Sequence, residues 1–267
     1  MMKTMERKYI PLAAFFQAVT QNEITLTFDA LENIMGQPLP NSAYLNNSWW
    51  VKTKPPLSHY LAWLNADFNV TEVKLGTSIT FSRNNTNAYS DNVITAGDTP
   101  QTYIIRPIET SDAREFIRLQ EQIFKQSEFM HSTYTDSPLT VQQVRKKLTE
   151  GKRLGNRTVF LCIGNGNFAG YAVVHGYKQS REKHIASISL AVKEEHQQMG
   201  IGQSLLKEVT DWAIERQITR LELKVLEHNE KALSLFQKNG FQEEGKRLNA
   251  VKLDDSFAHE YYMSKIL

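Results

Sequence analysis

One junction constrains this chain more than any other. An apolar segment, Ile188–Val192, leads through Gln197-Gln198-Met199-Gly200-Ile201-Gly202-Gln203-Ser204 into a stretch with Ile201, Leu205, Val209, Trp212 and Ala213 at helical spacing. The pattern predicts a strand, a glycine turn and an amphipathic helix in direct succession. Glycines there let backbone N–H groups converge, and the helix start adds partial positive charge, so the turn favours a phosphate or pyrophosphate. No Gly-Lys-Ser/Thr follows, which excludes a Walker loop, and the third glycine of the dinucleotide fingerprint is missing. Taken alone, two glycines are equally well explained by a tight turn.

The surrounding sequence has a matching rhythm. Strands are expected at Tyr103–Pro107, Val159–Ile163, Ala169–His175, Ile185–Val192 and Arg220–Leu226, with Gly164-Asn-Gly166-Asn as a turn between the second and third. One helix opens at Asp112 with Glu115 three residues on, presenting Phe116, Ile117, Ile123 and Phe124. Another opens at Thr140 with Gln143, presenting Val141, Val144 and Leu148. The glycine turn starts a third, from Gly200 to about Arg216, and Asn229–Asn239 gives a fourth, stopped by Gly240. Further strands end at Tyr261–Ile266.

Upstream, the text changes. Residues 84–100, NNTNAYSDNVITAGDTP, have no sustained period and are expected as a linker between residues 1–83 and 101–267. The first part carries a helix after Pro11 with Leu12, Phe15, Phe16 and Val19 inward. Thr27 is the expected cap of a helix through Ile34, ended by Gly36 and Pro38. Trp49-Trp50-Val51 is expected as a strand, and Ser58–Ala66 as a helix burying Tyr60, Leu61 and Leu64. A hairpin turns at Gly76-Thr77 between Val70–Leu75 and Ser78–Arg83. The fold class is therefore α+β in two domains, the N-terminal one small and built on a hairpin.

With 31 basic and 29 acidic residues in 267, the net charge is +2, too balanced for a protein held to nucleic acid or anionic lipid by charge. No apolar run reaches the roughly 18 residues of a membrane span, and Pro11 breaks up what superficially looks like a signal peptide after Lys3, Arg7 and Lys8. A single cysteine, Cys162, allows neither an internal disulfide nor a cysteine-based metal site. A cytoplasmic protein without a metal is expected. A homodimer is compatible with the sequence.

Gln197-x-x-Gly200-x-Gly202, followed by Asn229-x-x-Ala232-x-x-x-Phe236-x-Lys238-x-Gly240-Phe241, resembles the GNAT acetyltransferase family over residues 101–267. The resemblance implies a mixed, strongly twisted sheet flanked by helices and splayed beside its central strand, with acetyl-CoA as co-substrate. It implies that Leu190, Ala191 and Val192 lie along the pantetheine, with backbone groups of Leu190 and Val192 meeting it. It further implies that Gln197, Gln198, Met199, Gly200, Ile201, Gly202, Gln203 and Ser204 hold the pyrophosphate, and that Asn229, Ala232 and Phe236 line the other side. The tail GKRLNAVKLDDSFAHEYYMSKIL resembles that of members acting on free amino acids, small amines or peptide N-termini, so the expected partner is such an amine. Residues 8–83 resemble a small bacterial domain of uncharacterised function.

Phe236 departs from the family pattern, where many members have a tyrosine that can protonate the leaving thiolate. Ser187-Ile188-Ser189-Leu190 likewise carries no acid. An amine acceptor must shed a proton before attack. Glu128 is the candidate base, with Tyr262 the second catalytic candidate and His175 a weaker one. The alternative is a module that senses acetyl-CoA without turnover while the N-terminal part binds a partner.

Overall fold

The structure is a computed structural model and describes residues 5–50, 58–83, 102–127, 129, 139–252 and 256–267. The chain divides into two compact units, Met1–Ile104 with Ile163–Phe168, and Ile105–Cys162 with Ala169–Leu267. The expected linker, 84–100, lies outside the described residues. No helix among the described residues is long and apolar enough to cross a membrane.

In the first unit, α1 (Ile10–Ala18) carries Pro11 in its first turn, where no N–H is needed. It buries Leu12, Phe15 and Phe16, and Val19 is buried just beyond it. Strand β1 (Glu23–Thr27) was not anticipated, although Ile24 and Leu26 alternate inward between polar neighbours. Helix α2 (Phe28–Met35) begins where the Ala30 N–H donates to Thr27 Oγ1 at 3.1 Å, and ends at Gly36, whose φ is +74°. After the short α3 (Asn41–Leu45), the expected strand at Trp49-Trp50 is instead a 3-10 turn, and Val51 lies outside the described residues. Tertiary packing overrides strand propensity there. Trp50 Nε1 donates to the Ala43 carbonyl at 2.8 Å, and the Trp49 ring stacks on His59 at 4.1 Å.

The expected helix at Ser58–Ala66 shrinks to a 3-10 turn and α4 (Leu61–Leu64). Ala62 and Trp63 are buried while Leu61 and Leu64 are half-buried, because a one-turn helix need not follow an amphipathic period. The hairpin of β2 (Phe68–Lys74) and β3 (Ser78–Arg83) turns at Gly76, and β3 lies centrally in the order β1-β3-β2. Phe16 anchors the core, with ring centroids 4.6 Å from Phe81 and 5.3 Å from Phe68.

The C-terminal part of the chain, from residue 103 on, is built on a seven-stranded sheet ordered β4-β5-β6-β7-β8-β10-β9. Its strands are β4 (Tyr103–Pro107), β5 (Arg157–Gly164), β6 (Asn167–Gly176), β7 (Ile185–Val192), β8 (Arg220–Leu226), β9 (Gln242–Lys252) and β10 (Phe257–Ile266). Its helices are α5 (Ala113–Gln126), α6 (Val141–Leu154), α7 (Ile201–Glu215) and α8 (Glu230–Lys238). The β7–β8 pair is parallel and the recorded neighbours β6–β7, β8–β10 and β10–β9 are antiparallel, so the sheet is mixed as expected. Thr140 and Gln143 form the expected reciprocal cap of α6.

The start of α5 differs from expectation. Asp112 does not cap toward Glu115; it closes a capping box with Glu109 around a 3-10 turn, its Oδ2 accepting from the Glu109 N–H at 2.7 Å. The same carboxylate takes a two-pronged ion pair from buried Arg106, at 2.7 and 2.9 Å. A buried guanidinium claims the carboxylate, which no local spacing could reveal. The buried face of α5 is Ala113, Phe116, Leu119 and Ile123, with Ile117 and Phe124 only half-buried.

Candidate active site

The opening in the sheet follows from strand pairing. β6 pairs with β7 along its length, from Gly176↔Ala186 to Gly170↔Val192. The parallel register of β7 with β8 covers only Ile185↔Arg220, Ala186↔Leu221 and Ser187↔Glu222. Two bonds fix which backbone groups face the gap. Ile185 O accepts from the Tyr177 N–H, and the Lys193 N–H donates to Ala169 O, so odd-numbered residues point their backbone groups toward β6. By strand alternation those of Leu190 and Val192 face the β8 side, where pairing has ended. Ala191, on the same strand, is buried.

At the mouth of this gap lies the glycine turn. Gln198 (φ +63°) and Gly200 (φ +78°) both adopt left-handed backbone, which curls the chain into the start of α7. Gly200 is the N-cap and no side chain caps the helix. The first intrahelical bond runs from the Ser204 N–H to Gly200 O, 3.0 Å, so helix geometry leaves the N–H groups of Ile201, Gly202 and Gln203 without an internal acceptor. Gln197, Gln198, Met199 and Gly200 are exposed. The Gln197 amide donates to Val192 O at 3.2 Å, tying the turn to the open strand. Ser204 Oγ donates back to Gly200 O at 3.2 Å, and Ile201 is buried beneath the turn.

Gly202 does a different job from Gly200. A Cβ there would stand 2.8 Å from Leu235 Cδ2 of α8 and 3.8 Å from Leu190 Cδ2, so its lack of a side chain brings α7, α8 and β7 together. Asn229 caps α8, its Oδ1 accepting from the Ala232 N–H at 3.1 Å. Phe236 is buried on α8, its ring edge-on to Phe241 at 5.6 Å. These residues therefore converge on one end of the sheet. The end of α5 joins them, since Gln126 bonds to both Glu194 and Glu195, and Phe129 packs 5.3 Å from His228.

The expected catalytic residues are more scattered. Glu128 lies outside the described residues. Tyr262, on β10 opposite Lys224, is 40 % exposed, with Lys224 Nζ and Arg247 Cζ 5.4 and 5.6 Å from its ring centre. His175 stands on the solvent face of β6; partial desolvation of its ring, then Arg157 and Lys178, hold its pKa below the usual value. Cross-strand register puts His175, Ser187, Glu222 and Ser264 in one row on one face. Sequence reasoning missed Glu222. It stands on the last paired rung before the strands part, and Tyr177 Oη donates to its Oε1 at 2.6 Å. That bond, then burial, pushes the Tyr177 hydroxyl up to about 12, too high for ready proton donation near neutral pH. No local signal in the sequence marks it, because Glu222 occupies an ordinary polar position in the alternation Leu221, Leu223, Val225.

A mixed sheet opened beside its parallel pair, with bare helical N–H groups at the mouth, suits a long ligand with a pyrophosphate at one end. Residues 119–241 match the acetyltransferase (GNAT) family and residues 9–85 match a domain of unknown function, DUF7662. The chain thus carries a GNAT acetyltransferase domain behind a DUF7662 domain. It is 25 % identical over 167 residues to the L-amino acid N-acetyltransferase AaaT of Escherichia coli strain K12, covering 61 % of this chain and 97 % of that protein. A GNAT-family acetyltransferase from Streptococcus pneumoniae superposes with TM-score 0.59 at 27 % identity, over 62 % of this chain and 99 % of its own. The fold is shared at 17 % identity and TM-score 0.56 with yncA from Salmonella typhimurium, solved with its cofactor acetyl-CoA, over 62 % and 94 % of the two chains.

Proposed function

We propose that this acetyltransferase moves the acetyl group of acetyl-CoA to a primary amine of a small molecule, an amino acid or a peptide N-terminus, in the cytoplasm. The observation that carries this reading is the coincidence of the unpaired Leu190–Val192 edge with the uncapped start of α7. The edge offers the Leu190 backbone groups and the Val192 N–H to a pantetheine arm, Val192 O being taken by Gln197, and the turn from Gln197 to Ser204 offers N–H donors to a pyrophosphate. Asn229 keeps its amide nitrogen for the ligand while its oxygen caps α8. Ala232 and Phe236 would form the opposite wall. Similarity to a protein named as an L-amino acid N-acetyltransferase favours an amino acid among the amines.

In the reaction the neutral amine attacks the thioester carbonyl carbon, the C–S bond breaks, and the amine nitrogen gives up a proton as the amide forms. Glu128 or Tyr262 would handle that proton, and Glu222 is a further carboxylate on the face of the sheet that carries Tyr262. Phe236 cannot return a proton to sulfur. A thiol pKa near 8.5 makes the thiolate a tolerable leaving group without a dedicated acid.

Free-thiol release from acetyl-CoA, measured against a panel of L-amino acids, short peptides and alkyl amines, tests the reading. Acceptor-dependent release with at least one amine is expected. The second reading, an acetyl-CoA sensor, is favoured by the missing hydroxyl at Phe236; tight binding with no thiol release across the panel would establish it and overturn ours.

A further inference from the structure

The opposite end of the second unit holds two adjoining cavities of about 290 and 460 Å³, which share Gly155 and Arg216. Both are open to solvent, and only the larger falls within the roughly 300 to 1,000 Å³ of small-molecule sites. Lys147, Lys152, Arg157 and Arg216 line the first; Arg216, Lys178 and Lys183 line the second. Among the described residues, Glu109 is the single carboxylate in either lining.

These cations do not belong to one solvated helix face. They come from α6, from β5, from the segment after β6 and from the C-terminal end of α7. Their acidic neighbours leave much of the charge uncovered. Lys152–Glu109 at 3.2 Å, Lys178–Glu150 at 3.6 Å and Arg216–Glu215 at 3.3 Å face solvent, where such pairs hold weakly. The side chains of Lys147, Arg157 and Lys183 make no hydrogen bond or ion pair with any described residue. The depressed pKa of nearby His175, caused in part by Arg157 and Lys178, reports the same positive field.

The first cavity also has an apolar wall, formed by Ile108, Leu148 and Trp212. The Arg216 guanidinium lies over the Trp212 ring, 4.5 Å from its centre, with its side chain 40 % exposed. A guanidinium held beside an aromatic ring and still partly exposed is a group on which a nucleobase can stack. Helix α7 has 15 residues, roughly 22 Å, and separates this end from the glycine turn.

We propose that these cavities form a second ligand site for a nucleoside polyphosphate, distinct from the acetyl-CoA cleft. Lys147, Arg157 and Lys183 engage the phosphates, and the base stacks on Arg216.

The test is calorimetric titration of the full-length protein with ATP in saturating CoA, which fills the first site. ATP is expected to bind still, and Lys183→Glu and Arg157→Gln are each expected to weaken it at least tenfold. Lys183 is exposed and its replacement leaves the core untouched; thermal melting checks the fold of the Arg157 variant. Adenosine and inorganic triphosphate should each bind much more weakly than ATP. The proposal is overturned if CoA abolishes ATP binding, if both variants bind ATP like the parent, if adenosine or triphosphate alone matches ATP, or if an RNA oligonucleotide binds where ATP does not.

Discussion

Gly200 and Gly202 stand two residues apart in one turn and are required for different physical reasons. Gly200 has open space around it and a left-handed backbone; Gly202 has ordinary helical backbone and no space. Their spacing was legible in the sequence, but the division of labour was not, because it depends on Leu235 of a helix some thirty residues on. It yields a paired prediction. Gly200→Asp puts negative charge beside the free N–H groups and should abolish CoA binding with the fold retained. Gly200→Asn, which tolerates left-handed backbone but carries no charge, should keep most of the affinity. Calorimetry on both decides the matter, and equal losses would point to backbone strain instead of charge.

Cys162 supplies a second residue-scale expectation. It is buried on β5, and burial pushes its thiol up to about 12. A folded-state pKa raised above the unfolded value stabilises the protein fully below the unfolded pKa, and this contribution is lost as pH rises toward 12. Native protein should therefore resist a thiol-specific reagent at pH 8 and label only as fast as it unfolds. Rapid stoichiometric labelling would show the strand to be less covered than its burial indicates.

Among the elements, the β4–α5 connection was the hardest to read. Asp112 and Glu115 have capping-box spacing, yet the box forms one turn earlier because Arg106 needs a buried counter-charge. Local patterns identify caps well when the cap faces solvent, as at Thr140, and poorly when a tertiary partner competes for the side chain. The same competition, between aromatic packing and strand propensity, misdirected the reading of Trp49 and Trp50. Long periodic elements such as α7, β7 and β8 followed their sequence closely. Removing one partner from a buried pair leaves an uncompensated charge, so Asp112→Ala should cost about 3–5 kcal/mol. Urea denaturation followed by the transition of the second unit measures it. A loss below about 1 kcal/mol would mean that water reaches Arg106 once Asp112 is gone.

Over the whole molecule, we propose residues 1–83 and 101–267 as separate domains, every residue assigned to acetyl-CoA lying in the second. A fragment beginning at Thr99 should melt cooperatively and bind CoA like the full chain, as 169 residues can hold an independent core. An insoluble fragment would make the first domain structurally integral and the proposed boundary too sharp. The early end of β7–β8 pairing has one more consequence. A bare strand edge on a protein's rim invites strands of other molecules to add to it, which is how many sheet proteins aggregate. In this sheet the long rim strand β9 carries Lys246, Arg247 and Lys252, charges that discourage such addition. The bare stretch from Ile188 to Val192 has no such guard, but it is interior to the sheet order, with β6 on one side and β8 on the other. Its stickiness is thereby sheltered from other chains, and on the proposed function it serves a ligand slender enough to slip between two strands.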